Sequence, residues 1–554
     1  MTNSTTGPGR FIGPAIAAAM CLGGGVALFF NPTSPWLWVL TLLALTLFGQ
    51  GLHDLLQRRH TLLRNYPLLA HFRWFFEFLR PFLRQYIVEN DREGRPYNRD
   101  MRSLIYERAK DQVDAKPFGS DLDAYDNEFQ VVTHSMAPRP KSDTEFRVRV
   151  GADTCAHPFD VSLLNVSAMS FGSLSGPAVE ALNLGARRGG FYQDTGEGGI
   201  SPYHVRHGGD LVWEIGSGYF GCRDRDGYFD RGLFREQASR DSVRMIEIKL
   251  SQGAKPGHGG LLPAAKITEE IARTRKIPVA QDCLSPAYHT AFSTPRELLE
   301  FAASLRADSG GKPVGIKFCV GHPWEVFALC KAMLDTGIRL DFIVVDGAEG
   351  GTGAAPEEFS DHVGMPLREG LLLVRNALVG TGLRPDIRLA ASGKVYSAYT
   401  LAANLALGAD WCNAARAFML SLGCVQTKSC HNDMCPTGVT TQNPNRQRGL
   451  VIADKAPRVT NFQRHTLGHL ADLVAAAGLD HPGELLPHHL LHRRSATELI
   501  GLDKMYPFLH SGELLEDPAA TPYQEWWDAA DPDSFKPRKL VGPGHHRNAQ
   551  VTPG

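Results

Sequence analysis

The feature that most constrains this chain is an alternation that runs from about residue 160 to residue 420. Eight short apolar runs stand at 162–168, 190–194, 244–250, 278–282, 314–319, 342–346, 387–391 and 411–415. Helical periodicity fills much of the intervening sequence, at 176–188, 264–275, 295–308, 323–336, 367–379 and 397–407. Apolar runs alternating with helices read as parallel strands covered by helices. Eight such units predict an α/β fold of the (β/α)8 TIM barrel type. A doubly wound open sheet is the runner-up. No G-x-G-x-x-G follows the first run, which argues against a dinucleotide-binding sheet.

In a barrel the functional face lies at the strand C-termini. The residues just after the runs are Met169-Ser170-Phe171-Gly172, Thr195-Gly196-Glu197-Gly198-Gly199, Ser251-Gln252-Gly253-Ala254-Lys255, Gly347-Ala348-Glu349-Gly350-Gly351-Thr352-Gly353, Ser392-Gly393-Lys394 and Arg416. Glycine, hydroxyl residues, lysine and acids dominate. That mixture suits a phosphate and a polar ring system approached by backbone. The stretch 195–243 is long and rich in Gly, Tyr, His and Arg, and is expected to be a lid or binding loop. A structural excursion is the plainer alternative.

Three of the ten cysteines are bunched: Cys424, Cys430 and Cys435, spaced C-x5-C-x4-C, with Pro436 next. Thiolates on one loop suit soft metals. Three fall short of the usual four of a cubane cluster, which leaves a three-iron cluster or an external fourth ligand. A zinc site completed by His431 is a rival, and so are three unrelated buried thiols. The other cysteines are scattered, as buried small hydrophobes are in a reducing compartment.

Ahead of the barrel, 11–30 and 36–52 carry no charged residue. Each approaches the ~20 residues that cross a bilayer as a helix. The turn Asn31-Pro32-Thr33-Ser34-Pro35 joins them into a two-span membrane hairpin, expected over 1–57. A cleaved signal peptide would have one apolar stretch and a basic start. Only Arg10 precedes the first span, whereas Arg58, Arg59, Arg64, Arg73, Arg80 and Arg84 follow the second. That bias predicts an inner-membrane protein with both termini and the barrel on the cytoplasmic side. Residues 62–88 mix aromatics, leucines and arginines and read equally as an interfacial amphipathic segment or a helix packed on the barrel. The remaining divisions are a juxtamembrane and pre-barrel segment over 58–150, a barrel over 151–450, and a helical extension with a loose tail over 451–554, with helices expected at 461–477 and 483–501. A net charge of −1 excludes a global basic field of the kind that binds nucleic acid.

At this point several segments are familiar. The run from Ser167 to Ser175, Thr195-Gly196-Glu197-Gly198-Gly199, the run from Ile246 to Gly257, Gly350-Gly351-Thr352-Gly353-Ala354, and the cysteine triplet followed by Pro436-Thr437-Gly438-Val439 resemble the flavin domain of glutamate synthase, five motifs in the family's order. The resemblance covers roughly 150–450. It implies an FMN-bearing barrel with a [3Fe-4S] cluster on Cys424, Cys430 and Cys435. It also implies reduction of 2-iminoglutarate, made from 2-oxoglutarate and ammonia, to L-glutamate. The chain departs from the full-length enzyme by having no expected glutaminase, β-helical or pyridine-nucleotide domain. It also carries His258 where that enzyme more often has a glutamate. It is therefore similar to the stand-alone, FMN-binding members. They would draw electrons from a ferredoxin-like donor, and a separate glutaminase or reductase subunit is a conceivable partner.

From the resemblance, Lys249, Lys255 and Arg206 are the cations for the two carboxylates of 2-oxoglutarate, with Gln252 and Ser170 as hydrogen-bond partners. Glu197 would orient the imino nitrogen or move a proton; the alternative is an acid that braces a glycine loop. Met169 and Ser170 would flank the flavin. Lys317 would sit at its N1–O2 edge, unless it is a barrel-interior lysine paired to Asp346. Gly350, Gly351, Gly393, Lys394 and the backbone at Ala415 and Arg416 would hold the phosphate. The rival functions are N-methylglutamate formation or 2-hydroxy acid oxidation on the same flavin barrel, and a membrane-tethered redox relay that makes no product.

Overall fold

The structure, a computed structural model, describes residues 9–142, 145–279 and 281–539. The chain forms two compact units, residues 1–100 and 101–554.

In the first unit, helices Gly9–Phe30 and Pro35–Leu56 pack against each other as a hairpin. Both are long and apolar enough to cross a membrane. Their apolar side chains remain largely exposed, among them Leu22, Phe29, Trp36 and Leu43. The following helix, Ala70–Leu83, runs through Pro81 and exposes Phe72, Trp74, Phe75, Phe76, Phe78 and Phe82. The fully buried Asp54 ties the hairpin to this region, accepting from Leu68 N at 3.0 Å and meeting His71 Nε2 at 2.9 Å.

The second unit is built on a closed barrel of eight parallel strands. They are β1 (Leu164–Val166), β2 (Gln193–Asp194), β3 (Leu211–Ile215), β4 (Val243–Lys249), β5 (Val314–Phe318), β6 (Phe342–Asp346), β7 (Arg388–Ser392) and β8 (Trp411–Ala414). The ring closes where β8 pairs with β1, Asn413 opposite Asn165. The outer helices start on residues that cap them. Ser175 accepts from Ala178 N ahead of Gly176–Gly189, and Thr294 and Glu297 form a reciprocal capping box ahead of Pro295–Asp308. Helix Ile452–Ala476 adds an outer layer over Gly176–Gly189.

Seven of the eight expected strands coincide with barrel strands; the fourth, 278–282, does not. Residues 278–282 form no strand among the described residues, and Ala280 lies outside them. The missing strand is β3, Leu-Val-Trp-Glu-Ile, buried along its whole length. A glutamate in its centre disguises it as part of a polar loop. The stretch 195–243, expected to be a lid or binding loop, is therefore broken up by the short helix Pro202–Val205, β3 and helix Arg231–Ala238. The real excursion is 250–294, between β4 and the helix that completes its unit. The helix expected over 483–501 is also absent. That segment holds two 3-10 turns and the hairpin Leu490–Ser495/Glu498–Gly501, which adds Gln130–Val132 as a third strand. Its Leu-Leu and Leu-Ile pairs mimic helical spacing. The loose tail expected at the end falls partly on 540–554, outside the described residues.

The N-terminal end of the barrel is plugged. Hairpin Arg147–Val150/Phe159–Ser162 delivers Val150 and Val161 into a core with Tyr192, Val212, Met245, Phe342, Val344, Ala390 and Trp411. The Tyr192 hydroxyl donates to Asn413 Oδ1 at 2.6 Å and accepts from Trp411 Nε1 at 3.0 Å, so the polar atoms of this core are paired. With that end closed by apolar packing, the opposite end, at the strand C-termini, is where polar loops gather.

Candidate active site

Glu197, just beyond β2, lies 2.8 Å from Lys249 Nζ at the end of β4. The carboxylate is 18% exposed and the lysine 10%. Burial alone would raise the Glu197 pKa, but Lys249, Arg275 and Lys255 hold it down to about 2. Burial disfavours the Lys249 ammonium, and Glu197 and Glu214 outweigh that and raise its pKa. Lys255 is buried and donates to Ala354 O at 3.1 Å; burial lowers its pKa, Glu197 opposing in part. Gln252 donates to Thr352 Oγ1 at 3.2 Å, which joins the loops after β4 and β6. The same two loops meet at Gly253. Its N–H donates to Asp346 Oδ2 at 2.8 Å, and a Cβ there would stand 1.7 Å from Gly347 O. Only glycine permits this approach.

Arg206 is not brought to this cluster. It pairs with Glu180 on the outer helix Gly176–Gly189 and lies over the Tyr203 ring, about half exposed. It sits on the short helix that leads away from the mouth, so its nearness in sequence to Glu197 misled. The arginine that acts on Glu197 is Arg275, which is buried, donates to Phe171 O at 2.9 Å and lies over the Phe220 ring. His289 was likewise missed. It is buried, meets Lys249 O at 2.8 Å, and burial lowers its pKa to about 4. His258 is exposed and packs edge-on against Phe359.

Lys317 is engaged deeper, inside the barrel. Its Nζ lies 2.8 Å from Glu214 Oε2 and 3.8 Å from Glu247 Oε1, and forms no ion pair with Asp346. The expected pairing with Asp346 gives way to this inner partnership. Asp194, Glu214 and Glu247 converge there, their carboxylate oxygens within 4.8 Å of one another. Burial, then Glu214, pushes Asp194 up to about 7, and burial, then Asp194, pushes Glu247 up. Burial and a neighbouring acid thus both oppose ionisation of Asp194 and of Glu247. Lys317, Glu214, Lys249 and Glu197 thus form a row of alternating charge from the interior to the mouth.

Met169 and Ser170 are buried beside the Glu197 loop, after β1. The loops after β6, β7 and β8 gather at one side of the mouth. There Gly347 N donates to Ser392 O at 2.8 Å, and Arg416 donates to Glu349 O across Gly350 and Gly351. Gly393 and Lys394 both have positive φ, and the backbone at Ala415 begins the helix Arg416–Ser421.

The cysteine loop follows that helix. Tyr106 donates to Cys424 O at 2.6 Å. Ser175 N donates to Val439 O at 2.9 Å, and Gln442 Nε2 donates to Gly172 O and Leu174 O, both at 3.0 Å. The loop is therefore bolted to the segment that follows Met169 and Ser170. Burial pushes the Cys424 thiol up to about 12 and raises that of Cys430. Burial would raise Cys435 as well, but bonds from Thr437 and Thr440 bring it below its ordinary value.

A family model described as a conserved region in glutamate synthase matches residues 110–480. The chain belongs to the glutamate synthase family. A glutamate synthase large subunit-like protein of Bacillus subtilis is 36% identical over 490 residues, covering 81% of this chain and 93% of that protein. An archaeal glutamate synthase (NADPH) of Methanocaldococcus jannaschii is 34% identical over 316 residues, 57% of this chain; the chain spans 59% of that relative's length. A large subunit-like protein of Rhizobium meliloti is 30% identical over 370 residues, 64% of this chain and 79% of that protein. A solved mandelate oxidase structure with an FMN adduct covers 71% of this chain and 90% of its own, at 16% identity and a TM-score of 0.38, too slight a likeness to carry weight.

The region shared with the glutamate synthase family contains all eight strands, the Glu197–Lys249 pair and the three cysteines. Within it, sequence reasoning missed Glu214, Glu247, Arg275 and Lys266. The available signal was a charge inside an otherwise apolar run, as in Val-Trp-Glu-Ile and Ile-Glu-Ile-Lys. A charge there must be paired inside the barrel.

Proposed function

We propose that this chain is an FMN-dependent oxidoreductase that reduces 2-iminoglutarate, formed from 2-oxoglutarate and ammonia, to L-glutamate, with electrons entering through an iron–sulfur cluster on Cys424, Cys430 and Cys435. The observation that carries the reading is the cluster of Lys249, Lys255 and Arg275 around one carboxylate, Glu197, at the strand C-termini. Such a site is cationic overall and suits a substrate with two carboxylates.

The residues present fit both groups. For a flavin phosphate, the loops after β6 to β8 supply backbone, Lys394 and Arg416, and Gly351 leaves room that a Cβ would fill at 2.7 Å from Arg416. For the cluster, the donors are three thiols on one loop, close enough that Cys430 and Cys435 act on Cys424 and Cys435 acts on Cys430. FMN supplies hydride transfer, and the cluster supplies one-electron entry. The protein's own work is positioning. Lys255 and Arg275 would bind the substrate carboxylates, with Gln252 and Ser170 on the polar flank. Glu197 is fully ionised at neutral pH, so it orients the imino N–H groups and does not donate a proton. Lys255, whose ammonium is destabilised by burial, is the better acid for the nascent amine, and Lys249 keeps Glu197 in place.

The test is anaerobic turnover of the full chain with reduced viologen, 2-oxoglutarate and ammonium, following dye oxidation and glutamate together. Donor-dependent glutamate is the expected result. No glutamate from protein replete in FMN and iron would overturn the substrate assignment. N-methylglutamate formed from methylamine and glutamate without net consumption of the dye, or oxidation of a 2-hydroxy acid, would then favour a rival chemistry.

The first unit supports a membrane-attached form of the same enzyme. Two apolar helices with exposed aliphatic faces, followed by the aromatic face of Ala70–Leu83 interleaved with arginines, fit a cytoplasm-facing inner-membrane anchor. Proteolysis of intact right-side-out cells should leave residues 100–554 protected; digestion there would reverse the orientation.

A further inference from the structure

Among the buried charges of the second unit, Lys266 stands apart. It ends the 3-10 turn Ala264–Lys266, within the 250–294 excursion, and is 3% exposed. Its Nζ donates to three backbone carbonyls: Ser173 at 3.2 Å, Cys430 at 3.2 Å and Thr440 at 3.0 Å. Those bonds use all three donors of an ammonium. They also join three separate segments, namely the loop after β1, the cysteine loop and the 250–294 excursion. No carboxylate among the described residues forms an ion pair with it. The acidic groups acting on it are Asp433 and the thiols of Cys430 and Cys435.

A buried ammonium is costly unless an anion compensates it. Carbonyl dipoles return part of that cost. A loop of protonated thiols adds no negative charge, whereas thiolates bound to iron do. The placement of Lys266 therefore makes sense for a loop that carries net negative charge. The lysines at the mouth and in the barrel interior, Lys249 and Lys317, each have carboxylates of their own.

We propose that Lys266 is a positioning residue for the iron–sulfur centre: its buried ammonium is the counter-charge of the cysteine loop, raises the reduction potential of the cluster, and locks the loop to the segment after β1. The proposal rests on the cluster reading above. A fixed positive charge beside a redox centre favours the reduced, more negative state, so its removal lowers the midpoint potential. Gln442 makes a second, uncharged clamp between the same two segments through Gly172 and Leu174. It separates clamping from charge.

The test uses the full chain, purified anaerobically in detergent, with FMN content as the measure of folding. Iron content and an EPR-monitored redox titration are compared for wild type, Lys266→Met, Lys266→Arg and Gln442→Leu. Lys266→Met should keep FMN and show a more negative cluster midpoint or a loss of iron. Lys266→Arg should stay near wild type. Gln442→Leu should leave the midpoint in place. Should Lys266→Met lose FMN as well, Lys266→Gln, which still donates to two carbonyls, carries the same comparison. A Lys266→Met protein with wild-type iron and an unchanged midpoint overturns the proposal and leaves the cluster reading standing. A wild type that takes up no iron and shows no EPR signal overturns the cluster reading itself.

Discussion

At the mouth of the barrel, Glu197 and Lys249 meet at 2.8 Å with part of each side chain open to solvent. Deeper in the barrel, on β2 to β5, Asp194, Glu214, Glu247 and Lys317 meet with almost none. The two groups share residue types and differ in charge balance. At the mouth three cations surround one acid, so the acid is held ionised. In the interior three acids converge on one lysine, with Lys249 shared at 3.8 Å, and burial and neighbouring acids oppose ionisation of Asp194 and Glu247. The mouth is arranged to take up a substrate that brings negative charge. The interior is arranged to be self-sufficient. It resembles a cation-binding trio, and Lys317 already supplies the cation.

The largest test of that contrast is Lys317→Met. Removing one partner of a buried pair costs about 3–5 kcal/mol, because the remaining charges lose their compensation. The urea unfolding midpoint should fall sharply, and more than for Lys249→Met, whose partners are nearer solvent. Equal losses for the two variants would mean that the interior is no more demanding than the mouth.

Glu197→Gln should show the opposite profile. It keeps the shape and hydrogen-bonding reach of the side chain and leaves Lys249 its contact with Glu214, so stability should change by about 1 kcal/mol or less. Donor-dependent turnover should drop about 10²-fold or more, as when a group that positions the reacting atoms is lost. A variant that turns over normally would return Glu197 to the role of a brace for its glycine loop.

The two groups also predict opposite pH slopes. Glu197 has its pKa lowered to about 2 in the folded state. Its contribution is therefore present above the unfolded carboxylate range and is lost as pH falls from about 4.5 toward 2. Asp194 has its pKa raised to about 7. Its contribution is fully present below the unfolded value and is lost as pH rises from about 4 through 7. Urea midpoints measured across this range should decline between pH 4 and 7 in wild type and decline less in Asp194→Asn. A decline of the same size in that variant would place the titrating proton elsewhere.

The same contrast explains what the sequence made legible. Seven strands announce themselves because they are short apolar runs ending in glycine, hydroxyl or charged residues, and the loops at their ends carry the motifs that gather at the mouth. Glu197, Lys249, Lys255 and Gln252 could be picked out because they stand at or just beyond the ends of apolar runs, where the motifs lie. The interior group was hidden by the reverse logic. Glu214 interrupts the apolar pattern of β3, so that strand reads as loop in the sequence while 278–282 reads as a strand in its place. Glu247 was read past within Ile-Glu-Ile-Lys. Arg275 and Lys266 reach their partners through tertiary packing across the 250–294 excursion, and sequence spacing gives no measure of that distance. Arg206 failed for the same reason: it follows the Glu197 loop closely in sequence, and the intervening turn carries it to the outside.

The smallest predicted effect separates the two arginines. Arg206 lies on the outer surface, about half exposed, and the Glu180 carboxylate it pairs with is also held by His207 Nε2 at 2.9 Å. Arg206→Gln should therefore cost no more than about 1 kcal/mol of stability and leave the KM for 2-oxoglutarate within about twofold, which corresponds to less than about 0.5 kcal/mol of binding. Arg275→Gln removes a cation that acts on Glu197, leaves Phe171 O without its donor, and should raise that KM about tenfold or more, as the loss of a charge-assisted hydrogen bond does. A KM that rises with Arg206→Gln and stays put with Arg275→Gln would mean that the substrate approaches from the outer-helix side, and the cationic cluster at the strand ends would then serve the protein's own acids alone.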